Sequence, residues 1–581
     1  MTPDRLLAVF DRISDAPDAI PRLRQFILDL AVRGKLVAQD PSEESASKLL
    51  TRFRNEMSQS LRTKLKYHQT DDNYDRRQFE LPQSWVWCRL AEVGSIVGGG
   101  TPPSNDLDNF TEGGQGIAWL TPADLGRERS LYIEHGARDL TSQGLHSSSA
   151  TIMPKGSVLF TSRAPIGYIA IAVNEVSTNQ GFKSIVPFIP EMSLFISTYL
   201  RAFANWIDSI ASGTTFKEVS GKIVANLPFP LPPLPEQHRI VARVDELMAL
   251  CDQLEATQAK REARRDRLVA ASLQRLNQPA ADAPTFREDA RFYLNHLPRL
   301  TVRPEHVQQL RQTILNLAVR GRLVAQDPND EPVEKLLSRV DIYRRSLLKQ
   351  GYPNTNEASS QLRKQAEQSL PDNLESLPAG WQWTTLMQCS YVIIDCHNKT
   401  APYSTTGIPL VRTTNVRNGL LNFNDIKYVD ELTYTKWSAR CQPEPGDILI
   451  TREAPMGEVC IIPEGLKICL GQRMMLSRLI PGTVEPRFLL YSLRDPYLMD
   501  RVQDKPVGAT VQHLRVGGVE SLLVPLPPIK EQHRIVAKVD ELMTLCDRLE
   551  AQLTTTHDTN NHLLEAVLQE ALAGQYASVS A

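Results

Sequence analysis

The chain has 581 residues, of which 41% are hydrophobic, a length that suits two to four domains and a composition typical of soluble globular structure. A formal net charge of -2 excludes a protein that grips nucleic acid by bulk positive charge, so any DNA contact has to come from local clusters or from partners. The first apolar run, Leu6 to Phe10, is too short for a secretory core or a membrane span, and the eight cysteines form no CxxC pair and no zinc-finger spacing; both point to a cytoplasmic protein with buried free thiols and no metal site.

In chain order, residues 1–80 form a helical region. Leu23, Phe26, Ile27 and Leu30 fall at helical spacing ahead of Gly34, a helix stop, and the polar stretch 57–80 reads as a linker or a surface helix. Residues 81–232 mix short β-branched runs such as Ser157 to Phe160 with Gly/Pro turns and a helix-like stretch near 193–210, the pattern of an α/β domain. The cluster LPFPLPPLP closes that domain and sets proline just before a helix start, with Glu236 in the first turn, where the helix dipole favours an acid. Over 233–278 the apolar positions Ile240, Val244, Leu247, Cys251 and Leu254 alternate by four and three, the signature of a coiled-coil seam. A linker is expected at 279–300.

The pattern then begins again. A second helical region, 301–376, carries Leu310, Ile314 and Leu317 before Gly321; a second α/β domain spans 377–527, with a strand signal at Asp447 to Ile450; and a second seam of Ile535, Val539, Leu542, Cys546, Leu549 and Leu553 lies in 528–575. ILDLAVRGKLVAQDP at 27–41 and ILNLAVRGRLVAQDP at 314–328 agree at 13 of 15 positions, and EQHRIVARVDELMALCDQLEA at 236–256 agrees with 531–551 at 18 of 21. Between these anchors LPQSWVWCRL at 81 matches LPAGWQWTTL at 377, and KGSVLFTSRAPIG at 155 matches PGDILITREAPMG at 445. The period is far too long for a solenoid, so the chain is a duplicated domain set with expected pseudo-two-fold symmetry. A helix over about 235–275 is roughly 60 Å long at 1.5 Å per residue. That length predicts two long helices paired antiparallel as a coiled coil that separates the α/β domains.

Motifs for chemistry are missing. No Pro-Pro pair carries the Asp/Asn/Ser-Pro-Pro-aromatic pattern that holds a target amine for methylation, and Gly221-Lys222 lacks the spacing of a phosphate-binding loop. Gly98 to Gly100 lacks the GxGxxG spacing and reads as a turn. His238 and His533, beside Glu236 and Glu531, have no third partner nearby in sequence and read as exposed first-turn residues; Trp85, Trp87, Trp381 and Trp383 read as strand-start core anchors.

PLPPLPEQHRIVARVDEL and PLPPIKEQHRIVAKVDEL, each closing a domain that carries GGTPPS or TREAPMG, resemble the specificity subunit of a type I restriction-modification enzyme, and the paired LAVRGKLVAQDP motifs are similar to the helical regions of its longer members. The resemblance implies two target-recognition domains, each reading one half of a split, asymmetric double-stranded DNA site, and conserved helices that set the spacing and dock two adenine-N6 methyltransferase subunits. It also implies restriction/translocase subunits in the full complex. S-adenosylmethionine, ATP and Mg then belong to those partners, and this chain is non-catalytic, binding no cofactor or metal of its own.

On that reading base edges are read by Arg, Lys, Asn and Gln, while hydroxyls fix phosphates. In the first domain the candidates are Thr101, Ser104, Asn105, Arg163, Asn179, Gln180, Lys183, Thr214, Thr215 and Lys217. In the second they are Arg412, Thr413, Asn415, Arg417, Arg452, Gln472, Arg473, Thr510, Gln512 and His513. TSRAPIG and TREAPMG set Arg163 against Glu453 and Ser162 against Arg452, so the motif keeps one arginine but moves it, and the loop is expected to face DNA in both domains.

Overall fold

The computed structural model describes residues 16, 18–56, 79–127, 130–163, 165–212, 217–278, 282–397, 399–504, 506 and 512–573. The chain divides into two compact units, residues 1–261 together with 557–581, and residues 262–556. The long helices run over Leu234–Asn277 and Ile529–Ala573, so each begins in one unit and ends in the other. Among the described residues no helix is long and apolar enough to cross a membrane.

In the first unit a five-stranded sheet has the order Gly94–Gly98, Lys183–Pro187, Val158–Phe160, Ile169–Ala172, Tyr132–Ile133, antiparallel except for the last pair. A four-stranded sheet beside it has the order Phe110–Glu112, Arg138–Leu140, Ile117–Leu120, Ser177–Thr178. The helix Ser193–Ser209 buries Phe195, Ile196, Tyr199 and Leu200 in the core under the first sheet. The second unit repeats the plan with a sheet ordered Val392–Asp395, Met474–Arg478, Ile448–Thr451, Val459–Ile461 and a smaller one ordered Lys427–Val429, Ile408–Val411, Cys469–Leu470. This mixed α/β architecture, repeated with a long helix after each domain, is the fold class expected from the sequence.

Each domain is closed where its first and last strands meet. Val86–Arg89 pairs antiparallel with Pro228–Leu231, and Gln382–Thr385 with Leu523–Leu526. The proline-rich strand therefore delivers the chain straight into the long helix beside the domain's own entry point. Three repeated motifs converge there. In the first unit the Glu236 carboxylate, fully buried, accepts the Trp85 indole N–H at 2.9 Å and the Gln39 amide at 2.6 Å. In the second, Glu531 accepts from Gln326 at 3.2 Å. Burial raises the pKa of both carboxyls, against the pull of these donors. Gln237 and Gln532, also buried, donate to the carbonyls of Pro232 at 3.0 Å and Pro527 at 2.8 Å.

Gly34 and Gly321 show why the helix stops cannot vary. Their φ angles are +67° and +64°, and a Cβ would stand 2.5 Å from Pro82 Cγ in one unit and 2.8 Å from Pro378 Cγ in the other. Gly34→Ala therefore combines left-handed strain of about 1–2 kcal/mol with a clash against the proline ring. The expected outcome is a loss of about 2–4 kcal/mol in chemical denaturation.

The apolar period of the long helices is filled in part by the domains themselves. Ile240, Val244 and Cys251 belong to the core of the first unit with Leu247 packed on it, while Leu254 is 47% exposed. Ile535, Val539 and Cys546 belong to the core of the second, with Leu542, Leu549 and Leu553 against it. Farther along, Val269, Leu273 and Leu276 pack with Tyr293 and Leu300 in the second unit, and Leu564 and Val567 pack with Ala16 and Ala19 in the first. Segment 279–300 is more than the expected linker, being helical over Ala283–Leu300 with Asp282 as its N-cap. In the second unit the helices Val333–Lys349 and Thr355–Ala366 strap the α/β domain. The buried Arg344 donates to the carbonyls of Met387, Gln388 and Ser390, and Gln361 hydrogen-bonds both backbone groups of Ile393 on the edge strand.

Candidate nucleic-acid interface

The described residues of the TSRAPIG and TREAPMG segments make matching hydrogen bonds. Thr161 Oγ1 donates to the Pro165 carbonyl at 2.7 Å and accepts the Tyr168 N–H at 2.9 Å; Thr451 Oγ1 donates to the Pro455 carbonyl at 2.6 Å and accepts the Glu458 N–H at 2.9 Å. The glycines that close the turn, Gly167 at φ +99° and Gly457 at φ +82°, occupy the left-handed region that glycine tolerates best. Each turn is tied to a neighbouring loop by matching backbone bonds. Ser162 N–H donates to Gly181 O at 2.7 Å and Arg452 N–H to Arg473 O at 2.9 Å, while Val219 and Leu514 donate back to Ser162 and Arg452, both at 2.9 Å. The frame is thus repeated bond for bond.

The side chains mounted on it differ. In the first unit Glu218 lies between two cations, 3.3 Å from Lys183 Nζ and 3.9 Å from Arg163. Sequence reasoning missed Glu218 because its partners are 35 and 55 positions away. In the second unit Glu453, aligned with Arg163, sits 3.1 Å from Arg473, a residue held at φ +61°. A non-glycine residue held there is strained, and such outliers cluster at functional sites.

Two candidates move to the interior. Arg452 is 6% exposed, with Nη2 3.4 Å from Asp395 and Nη1 3.4 Å from the Leu514 carbonyl, so it braces the fold and cannot meet DNA as expected. Asn415 is 1% exposed; its amide donates to Asn422 and Asn424 carbonyls and its oxygen accepts the Arg412 N–H, so it holds a turn together. Arg452 is satisfied by partners distant in sequence, Asn415 by backbone groups of its own loop, and sequence alone leaves both side chains in loops. Arg452→Ala is expected to cost about 2–4 kcal/mol by removing a buried cation opposite Asp395, and Arg163→Ala under about 0.5 kcal/mol, in denaturant titrations of the two variants.

The remaining candidates spread over the exposed and half-buried faces. Thr101 donates to Gln180 Oε1; Ser104, Asn105, Gln180 and Lys217 are exposed, and Asn179 and Lys183 half-buried. Arg412 Nη2 donates to the Asp425 carbonyl at 2.9 Å, and Arg417 Nη1 to those of Thr413 and Val416 at 2.8 and 2.6 Å, which engages one guanidinium nitrogen of each. Thr413 and His513 are half-buried, Gln472 and Gln512 exposed. Thr214, Thr215 and Thr510 lie outside the described residues.

No group of three or more His, Cys, Asp or Glu able to hold a metal occurs among the described residues, and all eight cysteines are free and buried. His238 is exposed, and the exposed His533 contacts Glu485 at 3.3 Å. Trp85 and Trp381 are buried core anchors, while Gly99 is pressed against the Thr178 and Asn179 carbonyls, where a Cβ would stand 2.2 and 2.0 Å away, so Gly99 serves close packing.

A duplicated α/β domain joined to long helices is the class of protein this frame defines. The family model for the type I restriction modification DNA specificity domain matches residues 82–264 and 396–556, more than half of the chain. The chain belongs to the specificity subunits of type I restriction-modification systems, in the long form with two target-recognition domains. It is 29% identical to the EcoAI specificity subunit of Escherichia coli, over 95% of this chain and 94% of that one, and 26% identical to the EcoEI subunit of the same species with the same coverage. The MjaIX specificity subunit of Methanocaldococcus jannaschii is 35% identical over 28% of this chain and 37% of its own. Among solved structures, the HsdS subunit of Thermoanaerobacter tengcongensis aligns at 20% identity with a TM-score of 0.36, covering 85% of this chain and 97% of its own.

Proposed function

We propose that each α/β domain reads one half of a bipartite, asymmetric double-stranded DNA site, and that the long helices fix the distance between the halves and dock two adenine-N6 methyltransferase subunits. The observation that carries this reading is the repeated turn and loop frame with different polar side chains on it, the arrangement expected of two readers built alike and tuned to different bases. A mixed set of Arg, Lys and Gln reads base edges, and a chain with a net charge of -2 leaves bulk phosphate neutralisation to its partners. The chain itself is non-catalytic and cytoplasmic. S-adenosylmethionine sits on the methyltransferase subunits, and ATP and Mg on the restriction/translocase subunits that complete the complex.

The test is an exchange of residues 81–232 for the corresponding domain of a relative, followed by mapping of the methylated sequence in the assembled complex. One half of the sequence changes while the other half and the spacer stay the same. A change in both halves, or in neither, contradicts separate reading. Purified chain incubated with labelled S-adenosylmethionine and DNA transfers no methyl group until methyltransferase subunits are added; transfer by the chain alone contradicts the non-catalytic role.

A further inference from the structure

Within the loop 178–183 and its counterpart 470–475 one residue does not diverge. The backbone bonds that equate Ser162 with Arg452 and Gly181 with Arg473 are joined by a third pair, Asn179 N–H to Leu120 O at 2.9 Å and Gly471 N–H to Val411 O at 2.7 Å. These fix the register residue by residue. Across 178–183 and 470–475 the pairs are Thr178/Leu470, Asn179/Gly471, Gln180/Gln472, Gly181/Arg473, Phe182/Met474 and Lys183/Met475. Only the glutamine is shared. Its neighbours in space differ as well, with Thr121 against Arg412 beside the anchoring carbonyl and Arg163 against Glu453 on the adjoining turn.

Each glutamine projects from a rigid base. The residue before it donates its N–H to one strand end, and the residue after it accepts an N–H from the Thr-capped turn, so the backbone is clamped on both sides of an exposed side chain. In the first unit Gly99 packs against the Thr178 and Asn179 carbonyls, and Thr101 donates to Gln180 Oε1, which orients the amide. A glutamine held this way presents a carbonyl and an N–H together, the pair that matches N6–H and N7 of adenine in the major groove.

We infer that Gln180 and Gln472 are equivalent base readers that contact an adenine at the same relative position in each half-site, while their differing neighbours set what is distinct about each half. This deepens the proposed DNA-reading function and rests on it. Identity in the helices serves common partners; identity at one point of an otherwise divergent loop serves a common base.

The test is selection from a pool of random duplexes by the chain assembled with its methyltransferase subunits, with the bound sequences read for wild type, Gln180→Ala, Gln472→Ala and Gln180→Glu. Both glutamines are exposed, and unchanged denaturation midpoints confirm that the variants fold. Gln180→Ala is expected to lower the preference for adenine at one position of one half-site by roughly five- to hundred-fold, and Gln472→Ala to do the same at the matching position of the other half. Gln180→Glu moves the preferred base at its position toward cytosine, whose N4 amine donates to a carboxylate. Uniform weakening over all sequences, with the salt dependence unchanged because a glutamine carries no charge, makes the glutamines phosphate contacts and overturns the inference, as does loss of a base other than adenine or no change at all. A wild-type complex that selects no two-part sequence overturns the DNA-reading function itself, a result separate from any effect of the glutamines.

Discussion

Asp447→Ala is expected to destabilise the second unit by about 3–5 kcal/mol. Asp447 and Arg478, 2% and 7% exposed, form a two-bond pair, with Nε to Oδ1 at 2.8 Å and Nη2 to Oδ2 at 2.7 Å. Removing the carboxylate leaves a buried guanidinium whose remaining partners are the Gln442 carbonyl, the Tyr352 hydroxyl and the more exposed Glu444. The first unit shows that the pair is dispensable as a pair. By the shared register Ser157 stands where Asp447 does and Val186 where Arg478 does, and the Gly156 and Gly446 N–H groups beside them donate across the sheet at 2.8 and 2.9 Å alike. The double variant Asp447→Ser with Arg478→Val should therefore recover more than half of the loss in urea unfolding, because a buried ion pair replaced as a whole costs far less than one broken in half. A double variant no more stable than the single one means that Arg478 is needed for its links to Gln442 and Tyr352 rather than as the counter-ion of Asp447.

Glu236→Ala is the second large effect, about 2–3 kcal/mol, since it strips the buried Trp85 indole and the Gln39 amide of their acceptor at the point where three repeated motifs meet. Glu236→Gln keeps the accepting oxygen and removes the charge, and its consequence depends on pH. Burial raises the folded-state pKa of Glu236 above its unfolded value, so the folded state binds the proton more tightly; the associated stability is fully present below the unfolded pKa and is lost as pH rises through the folded one. At neutral pH wild type carries that loss and the glutamine variant does not. Glu236→Gln is therefore expected to compare most favourably with wild type at neutral pH and to lose that advantage as pH falls into the carboxylate range, read from denaturation midpoints across the series. A difference that stays constant with pH shows that the charge at Glu236 plays no part.

Much of this frame was legible in the sequence because duplication performs a comparison within one chain. Gly34 and Gly321, the LPxxW strand starts and the EQHR helix starts stood out as repeats, and the structure shows each touching the others. What the repeats left open was burial. Arg163 and Arg452 belong to one motif and differ by a single position, yet one is half-buried beside Glu218 and the other is drawn inside by Asp395, 57 residues upstream. Asn415 was invisible as a turn-holder for a different reason: its acceptors at Asn422 and Asn424 are backbone carbonyls, which leave no trace in residue identity. The seam of the long helices was correctly periodic, but a period of four and three says that a stripe is buried and not what covers it; over the first turns the unit's own core does so. Glu236 reads in sequence as a first-turn acid favoured by the helix dipole, and its role as the acceptor for two other motifs appears only in three dimensions.

On the proposed function, one chain carries two independent readers of a divided DNA site. Methylome sequencing of the host with and without the gene tests it most directly. The result predicted is a set of N6-methylated adenines, present only with the gene, that lie in a sequence of two different specified blocks separated by a spacer of fixed length and unspecified bases. A single uninterrupted sequence, two identical blocks, or a methylome that does not change with the gene would contradict it.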